Sequence, residues 1–215
     1  MTSSATVAAA WRDLAARHGL ALPAAQAVLQ ELEAAYREPH RAYHTLDHIA
    51  ALLALLDEHA TRGLDRDSLV LAILFHDAIY DPARSDNESA SADLAGARLT
   101  AHGLPAAMIE RVRQLILATQ HGASIEAGND AEAALLLDLD LSVLAAPEDT
   151  YRAYAQAIRR EYALYPDAVY GPGRAKVLRA FLAREHIYFT PRLRALWEAP
   201  ARANLAAEIA RLELR

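Results

Sequence analysis

The sequence contains no cysteine among its 215 residues, and it has little glycine. The absence of cysteine excludes disulfide bonds and zinc sites built from thiolate ligands. With only 8 Gly, frequent tight turns are not expected, and alanine and leucine supply much of the 53% hydrophobic content. Because both residues favour helices, we predict an all-α protein, a single domain of about nine to eleven helices.

Basic residues are outnumbered by acidic ones, at 22 Lys and Arg against 28 Asp and Glu, so the formal net charge is −6. A broad positive surface for a nucleic-acid polymer is therefore not expected. No apolar run approaches the roughly 20 residues that a membrane span needs. The N-terminal residues lack the basic and apolar regions of a secretory signal, so we expect a cytoplasmic protein.

One uninterrupted apolar run, Leu69–Phe75, leads directly into His76 and Asp77. A segment that is apolar on every side predicts a buried element. Ionisable groups at the end of such an element are costly to bury unless they are paired or bind a metal. On a helix these two side chains point roughly 100° apart, so both can reach one ion only at the end or edge of the helix. Other segments of the chain would have to supply the groups that complete such a metal site.

Three further segments place histidine or aspartate against apolar residues. His44 and His48 are four positions apart, which puts them about 40° apart around a helix and on one side of it. Asp138 and Asp140 occupy a leucine-rich run, about 200° apart on a helix, so a shared role is not expected. His121 ends another apolar helix. Each feature alone has an ordinary structural explanation, but their combination favours a metal site.

Two or three imidazoles and two carboxylates suit one divalent ion. Zn²⁺, Mn²⁺, Fe²⁺, Co²⁺ and Ni²⁺ all accept this ligand mixture, which is less selective for Mg²⁺. An ion with an open position lowers the pKa of a bound water toward about 7 and polarises a phosphoryl oxygen. The predicted cofactor is therefore one divalent metal ion of undetermined identity.

The order of His48, His76-Asp77 and a later aspartate resembles the HD-domain superfamily of metal-dependent phosphohydrolases. A fuller pattern is similar to a bacterial subgroup of predicted HD phosphohydrolases. Its segments are YHTLDHI (43–49), FHDAIYDP (75–82), DNESA (86–90), ATQH (118–121) and DLDLS (138–142). The resemblance implies an HD-type helical bundle in which His48, His76, Asp77 and one late aspartate bind the ion.

Asp140 is preferred to Asp138 as the late ligand. The last ligand of HD domains often follows a small or apolar residue and precedes a leucine, as Asp140 does. Asp138 would then cap a helix or hydrogen-bond a ligand histidine. The choice between the two aspartates stays open at this point.

The segment that contains His44 also looks like the signature of cyclic-nucleotide phosphodiesterases. In that family the first histidine is the general acid and the second a metal ligand. Carried over, His44 would protonate a leaving alkoxide while His48 binds the metal. The other phosphodiesterase motifs are absent, so the substrate does not carry over. The alternative for His44 is a loop histidine that only hydrogen-bonds backbone groups.

Four further residues are candidates for contacts with a substrate or with bound water. His121 and Arg41 suit a phosphate contact, since the planar guanidinium of arginine matches phosphate; His121 could instead support a ligand. Asn87 and Glu88 follow the HD segment closely enough to reach bound water. Ser85 and Glu88 also have the spacing of a capping box, which is an equally good explanation of Glu88.

These features favour hydrolysis of a phosphate ester or anhydride of a small molecule, a nucleotide being one candidate. Metal-activated water would attack phosphorus, Asp77 or the late aspartate would orient that water, and His44 would assist the leaving group. A second hypothesis is a di-iron oxygenase of HD fold, which requires His121 as an additional ligand. A third is a protein that binds a metal or nucleotide without turnover. The sequence leaves the oligomeric state open, a homodimer included.

Overall fold

The computed structural model describes residues 2–120 and 130–214, and within these ranges ten α-helices and no strand are present. The prediction of an all-α protein with nine to eleven helices is therefore confirmed. The helices are α1 Ser3–Arg17, α2 Leu22–Ala35, α3 Leu46–His59, α4 Arg66–Phe75, α5 Asn87–Ala101, α6 Ala106–Ala118, α7 Ala131–Asp140, α8 Glu148–Glu161, α9 Asp167–Leu182 and α10 Pro191–Glu213. A 3-10 helix, Leu141–Ala145, follows α7 directly. In the part of the chain that the structure describes, no helix is both long enough and hydrophobic enough to cross a membrane.

The chain divides into two compact units. Unit 1 is Met1–Glu126, which contains α1 to α6, and unit 2 is Ala127–Arg215, which contains α7 to α10. In unit 2, α10 packs against α8, α9 and the 3-10 helix. The prediction of one HD-type domain over the whole chain stays a prediction.

The apolar run of the sequence forms α4, the central helix of unit 1. Every residue of Ser68–Phe75 is buried, and α4 packs against α1, α3, α5 and α6. Asp65 caps the start of the helix, where its carboxylate accepts a hydrogen bond from the Ser68 backbone N–H at 3.1 Å. At the other end His76 is the C-cap, and it is only 2% exposed. The predicted burial is confirmed, and it places His76 inside the unit.

Helix α3 supplies the second side of the site. Thr45 caps it by accepting a hydrogen bond from the Asp47 backbone N–H. Its apolar stripe includes Ile49 and Leu56, which are completely buried, and α3 packs against α1 and α4. His48 directly precedes Ile49 in the first turn, so the burial of this stripe fixes the position of the His48 ring.

The start of α5 differs from the sequence prediction. Ser85 and Glu88 have capping-box spacing, but the helix begins at Asn87 and its N-cap is Asp86. The Asp86 carboxylate accepts two hydrogen bonds from Arg84, at 2.8 and 2.9 Å, and makes no capping hydrogen bond. Pairing with the neighbouring guanidinium therefore replaces the expected cap, and the capping-box interpretation of Glu88 is wrong.

Two helices of unit 2 continue through positions at which the sequence predicts breaks. The segment 171–173, Gly-Pro-Gly, is expected to form a loop but lies inside α9, and Pro200 lies inside α10 instead of opening a separate helix. A proline inside a helix removes one backbone hydrogen bond and costs about 3 kcal/mol. Leu178 of α9 and Leu205 of α10 are buried in one apolar cluster. We attribute the continuity of both helices to this burial, which offsets the cost.

Candidate metal centre

Three donor groups of unit 1 converge at the end of α4. His48, His76 and Asp77 each offer one ligand atom, and these atoms all lie within 4.8 Å of one another. The Oδ2 atom of Asp77 is 3.0 Å from Nε2 of His76 and 3.8 Å from Nε2 of His48. Two atoms bound to one ion at about 2.1 Å are at most about 4.2 Å apart, so both distances are compatible with a shared ion. The sequence predicted this convergence.

The cluster combines a buried interior with one partly exposed group. His48 is 6% exposed and His76 is 2% exposed, whereas the Asp77 side chain is 18% exposed. Around the imidazoles the low local polarity strengthens the attraction between a cation and its ligands. Asp77 gives the cluster contact with solvent, which a substrate or an attacking water requires.

The hydrogen bond of the His76 ring fixes which nitrogen can bind a metal. The Nδ1 atom lies 3.0 Å from the Ile73 carbonyl oxygen. Because a carbonyl oxygen can only accept, Nδ1 carries the proton and donates it. In the neutral ring the lone pair is then on Nε2, the nitrogen that faces Asp77. Metal-bound histidines are commonly held in this way, so the donor set of the cluster fits a divalent ion.

His44 lies beside the cluster and against an aromatic ring that the sequence analysis did not select. It is half-buried, its ring centroid is 5.9 Å from that of His48, and the Tyr80 ring is 4.2 Å away. The Tyr80 ring is also nearly parallel to the ring of His40, with 6.2 Å between the centroids, and His40 Nε2 donates to the Tyr80 carbonyl at 2.8 Å. His44 therefore has the position of a group at the edge of the site, and its role as a general acid stays a prediction.

The backbone between Asp77 and Asp81 is held by side chains from other segments. The Ser91 hydroxyl accepts from the Ile79 N–H at 3.0 Å and lies 3.2 Å from the Ile79 carbonyl oxygen. The Asn87 side-chain amide makes the same pair of contacts with Asp81, at 3.1 and 2.9 Å. Ser91 is completely buried. Together these bonds fix the loop that follows the ligand pair.

This arrangement gives Asn87 a role that the sequence analysis did not anticipate. Its amide binds the loop backbone, while the contact with bound water stays a prediction. Asn87 and Ser91 are four residues apart and therefore share one face of α5. This four-residue spacing is visible in the sequence, and it could have indicated that Asn87 and Ser91 contact the same loop. Glu88 is half-buried in the first turn of α5.

Arg41 is buried beneath the loop. Its guanidinium donates to the backbone carbonyls of Asp77, at 2.6 Å, and Ala78, at 3.1 Å. Its side chain has 0% exposure, and Nε also donates to Glu38 at 3.0 Å. The phosphate contact expected for Arg41 stays a prediction, and the structure shows that its donors bind the protein's own backbone.

The two late aspartates lie in unit 2 and have different surroundings. Asp138 is completely buried, and its two carboxylate oxygens accept from the backbone N–H groups of Phe189 and Thr190, each at 2.7 Å. Burial raises the pKa of the Asp138 carboxyl, and these hydrogen bonds oppose the rise. Since Thr190 is the N-cap of α10, Asp138 holds the start of that helix. Asp140 is the last residue of α7 and is half-buried, and its role as a ligand stays a prediction.

We expect Asp138→Asn and Asp140→Asn to affect different properties. In Asp138→Asn an amide N–H would face a backbone N–H, and a buried group left unsatisfied costs about 1–3 kcal/mol of stability. Co²⁺ affinity of this variant should stay near the wild-type value. Asp140→Asn should instead weaken Co²⁺ binding with little change in stability. Urea denaturation of the metal-free proteins and titration with Co²⁺ check both statements, and the reverse pattern would make Asp138 the ligand.

The His121 prediction falls on a residue outside the described ranges. Comparisons with protein-family models, with curated proteins and with solved structures gave no match. The resemblance to HD domains therefore stays an expectation from the sequence motifs. The evidence for the metal centre is the geometry of its own donor residues.

Proposed function

We propose that the chain is a metal-dependent phosphohydrolase of HD type that cleaves a phosphate ester or anhydride of a small molecule, such as a nucleotide. The observation that carries the proposal is the convergence of His48, His76 and Asp77 in unit 1. The order of these residues along the chain, and of the late Asp140, is the one that the HD resemblance implies. A histidine beside the cluster adds the group that such a hydrolysis needs at its leaving oxygen.

The residues of the proposed site have two kinds of role: some would bind the ion, and others would orient the attacking water or transfer a proton. His48, His76 and Asp77 would hold one divalent ion; the HD resemblance of the sequence implies a late aspartate, Asp140 by preference, as a further ligand. When bound, such an ion polarises a phosphoryl oxygen and activates water for attack on phosphorus. Asp77 lies where the cluster meets solvent, so its carboxylate can accept a hydrogen bond from the attacking water and orient it.

His44 would protonate the leaving oxygen. An imidazole changes its charge near neutral pH, which suits a general acid. The contact with Tyr80 restricts the orientation of the His44 ring beside the cluster. A small substrate would therefore be bound with its phosphorus near the His48–His76–Asp77 cluster and its leaving group toward His44.

The test begins with the metal content of the protein purified in the presence of Mn²⁺ or Co²⁺. We expect one ion per chain, since the described donors form one cluster. The loaded protein is then assayed for phosphate release from phosphomonoesters, nucleotides and cyclic nucleotides, with the metal-free protein as the control. Release from at least one class, dependent on the ion, supports the proposal, and a loaded protein that is inactive on all three classes contradicts it.

Two other results would point to the alternative functions. Two irons per chain together with consumption of O₂ would favour the di-iron oxygenase. A phosphorylated compound that stays bound and intact through long incubation with the loaded protein would favour binding without turnover. The metal analysis and the incubation use the same preparation, so one set of samples separates the three functions.

A further inference from the structure

The two segments that carry the proposed ligands are joined by one side chain. The first segment, residues 43–49, contains His44 and His48, and the second, residues 75–82, contains His76 and Asp77. Arg41 contacts both. Its Nη1 lies 3.3 Å from the carbonyl oxygen of His44 and 2.6 Å from that of Asp77.

The shape of the guanidinium explains why an arginine is suited to this position. Nη1 points at carbonyls of both segments, Nη2 donates to Ala78 and Nε donates to Glu38. An arginine presents five N–H donors in a rigid plane, whereas a lysine presents one flexible ammonium. A lysine could retain the positive charge but could not satisfy carbonyls in three directions with the same fixed geometry.

Two aromatic rings enclose this cation. The guanidinium carbon is 5.2 Å from the centroid of the Tyr36 ring and 5.4 Å from that of the Tyr80 ring. Tyr36 is itself anchored, because its hydroxyl donates to the Leu74 carbonyl near the end of α4 at 3.0 Å. Cation–π contacts of this kind favour one location for the charge. Arg41 is thus fixed at the junction and is not a mobile surface arginine.

The hydrogen bond from Arg41 to the Asp77 carbonyl acts directly on the site, since the same residue supplies the carboxylate. This bond restricts the peptide plane of Asp77, and with it the direction of the Asp77 side chain toward the two imidazoles. The hydrogen bond from Arg41 to the His44 carbonyl similarly restricts the segment that carries the His48 ring. The distances of 3.0 and 3.8 Å from Asp77 to the two imidazole nitrogens depend on both restrictions.

We propose that Arg41 is a positioning residue that sets the spacing of the His44–His48 and His76–Asp77 segments, and thereby the coordination geometry of the metal centre. It acts through the backbone of the ligand segments, by its hydrogen bonds to the carbonyls of His44, Asp77 and Ala78. The inference rests on the proposed metal site, and it goes beyond it by naming the group that holds the site in shape.

The test uses Co²⁺ as the probe, because its d–d absorption spectrum reports coordination geometry as well as binding. Arg41→Met should weaken Co²⁺ binding by about 10- to 100-fold, the usual effect of losing a group that supports a metal ligand, and should change the spectrum. Arg41→Lys should give a smaller loss and an intermediate spectrum. Arg113→Met is the matched control, since Arg113 donates to the Ala92 carbonyl elsewhere in unit 1.

Urea denaturation of the metal-free variants separates positioning from stability. The control is expected to lose stability while it keeps the wild-type Co²⁺ affinity and spectrum. Wild-type affinity and an unchanged spectrum in a folded Arg41→Met protein would overturn the inference. If Arg41→Met does not fold, the same two measurements on Arg41→Lys decide the matter. A wild-type protein that binds no Co²⁺ would instead overturn the proposed function, and this inference with it.

Discussion

Replacing His76 with alanine is expected to reduce the affinity for Co²⁺ or Zn²⁺ by at least about 100-fold, more than the loss of a supporting hydrogen bond costs. The Nε2 atom of His76 lies 3.0 Å from Asp77 Oδ2, at the centre of the donor cluster. Its Nδ1 donates to the Ile73 carbonyl, so in the neutral ring the lone pair is on Nε2, the nitrogen that faces the site. Alanine removes this preorganised ligand. Titration of the metal-free protein by calorimetry measures the loss.

The comparison needs a variant that removes a histidine elsewhere. His186 suits this purpose, since its side chain is 44% exposed and its Nε2 pairs with Glu185. His186→Ala should bind the metal as the wild type does. Because His76→Ala also removes a buried side chain, circular dichroism must first show that the variant is folded. A folded His76→Ala protein with wild-type metal affinity would remove His76 from the ligand set.

The sequence was most informative where burial and helical period act locally. The run Leu69–Phe75 is apolar on every side, so the burial of α4 and the unusual position of His76-Asp77 at its end follow from it directly. The helical spacing predicted for His44 and His48 does not hold, because α3 begins at Leu46 with Thr45 as its N-cap, so only His48 lies on the helix. In the structure His48 joins the cluster, while His44 lies at its edge.

The sequence was least informative where a role depends on contacts between distant segments. An arginine in an irregular segment suggested phosphate binding, but the bonds of Arg41 to Asp77 and Ala78 cross 36 and 37 residues of chain. Asp138 also depends on distant contacts, since its carboxylate accepts hydrogen bonds from backbone N–H groups 51 and 52 residues later in the chain. No local pattern encodes such pairings. The prolines of α9 and α10 do not break their helices for a related reason, because the burial of the unit 2 cluster offsets a local preference.

The His44→Gln variant is expected to lose about 10²- to 10⁴-fold in kcat on an alkyl phosphate, the range that general acid catalysis usually contributes. Glutamine can occupy a similar volume and form hydrogen bonds, but it cannot transfer a proton near neutral pH. Co²⁺ affinity should stay within a few fold of the wild-type value, because the cluster of His48, His76 and Asp77 does not include His44. The measurement compares kcat with metal affinity on the same preparation.

The leaving group provides the sharper test of this role. An alkoxide must be protonated as it departs, whereas a nitrophenolate is stable without a proton, so the effect of His44→Gln should largely disappear on p-nitrophenyl phosphate. His40→Gln is the matched control, since His40 also packs against the Tyr80 ring and donates to its carbonyl. It should not show this dependence on the leaving group. An equal loss of kcat on both substrates in His44→Gln would mean that His44 orients the substrate or the metal site and does not donate the proton.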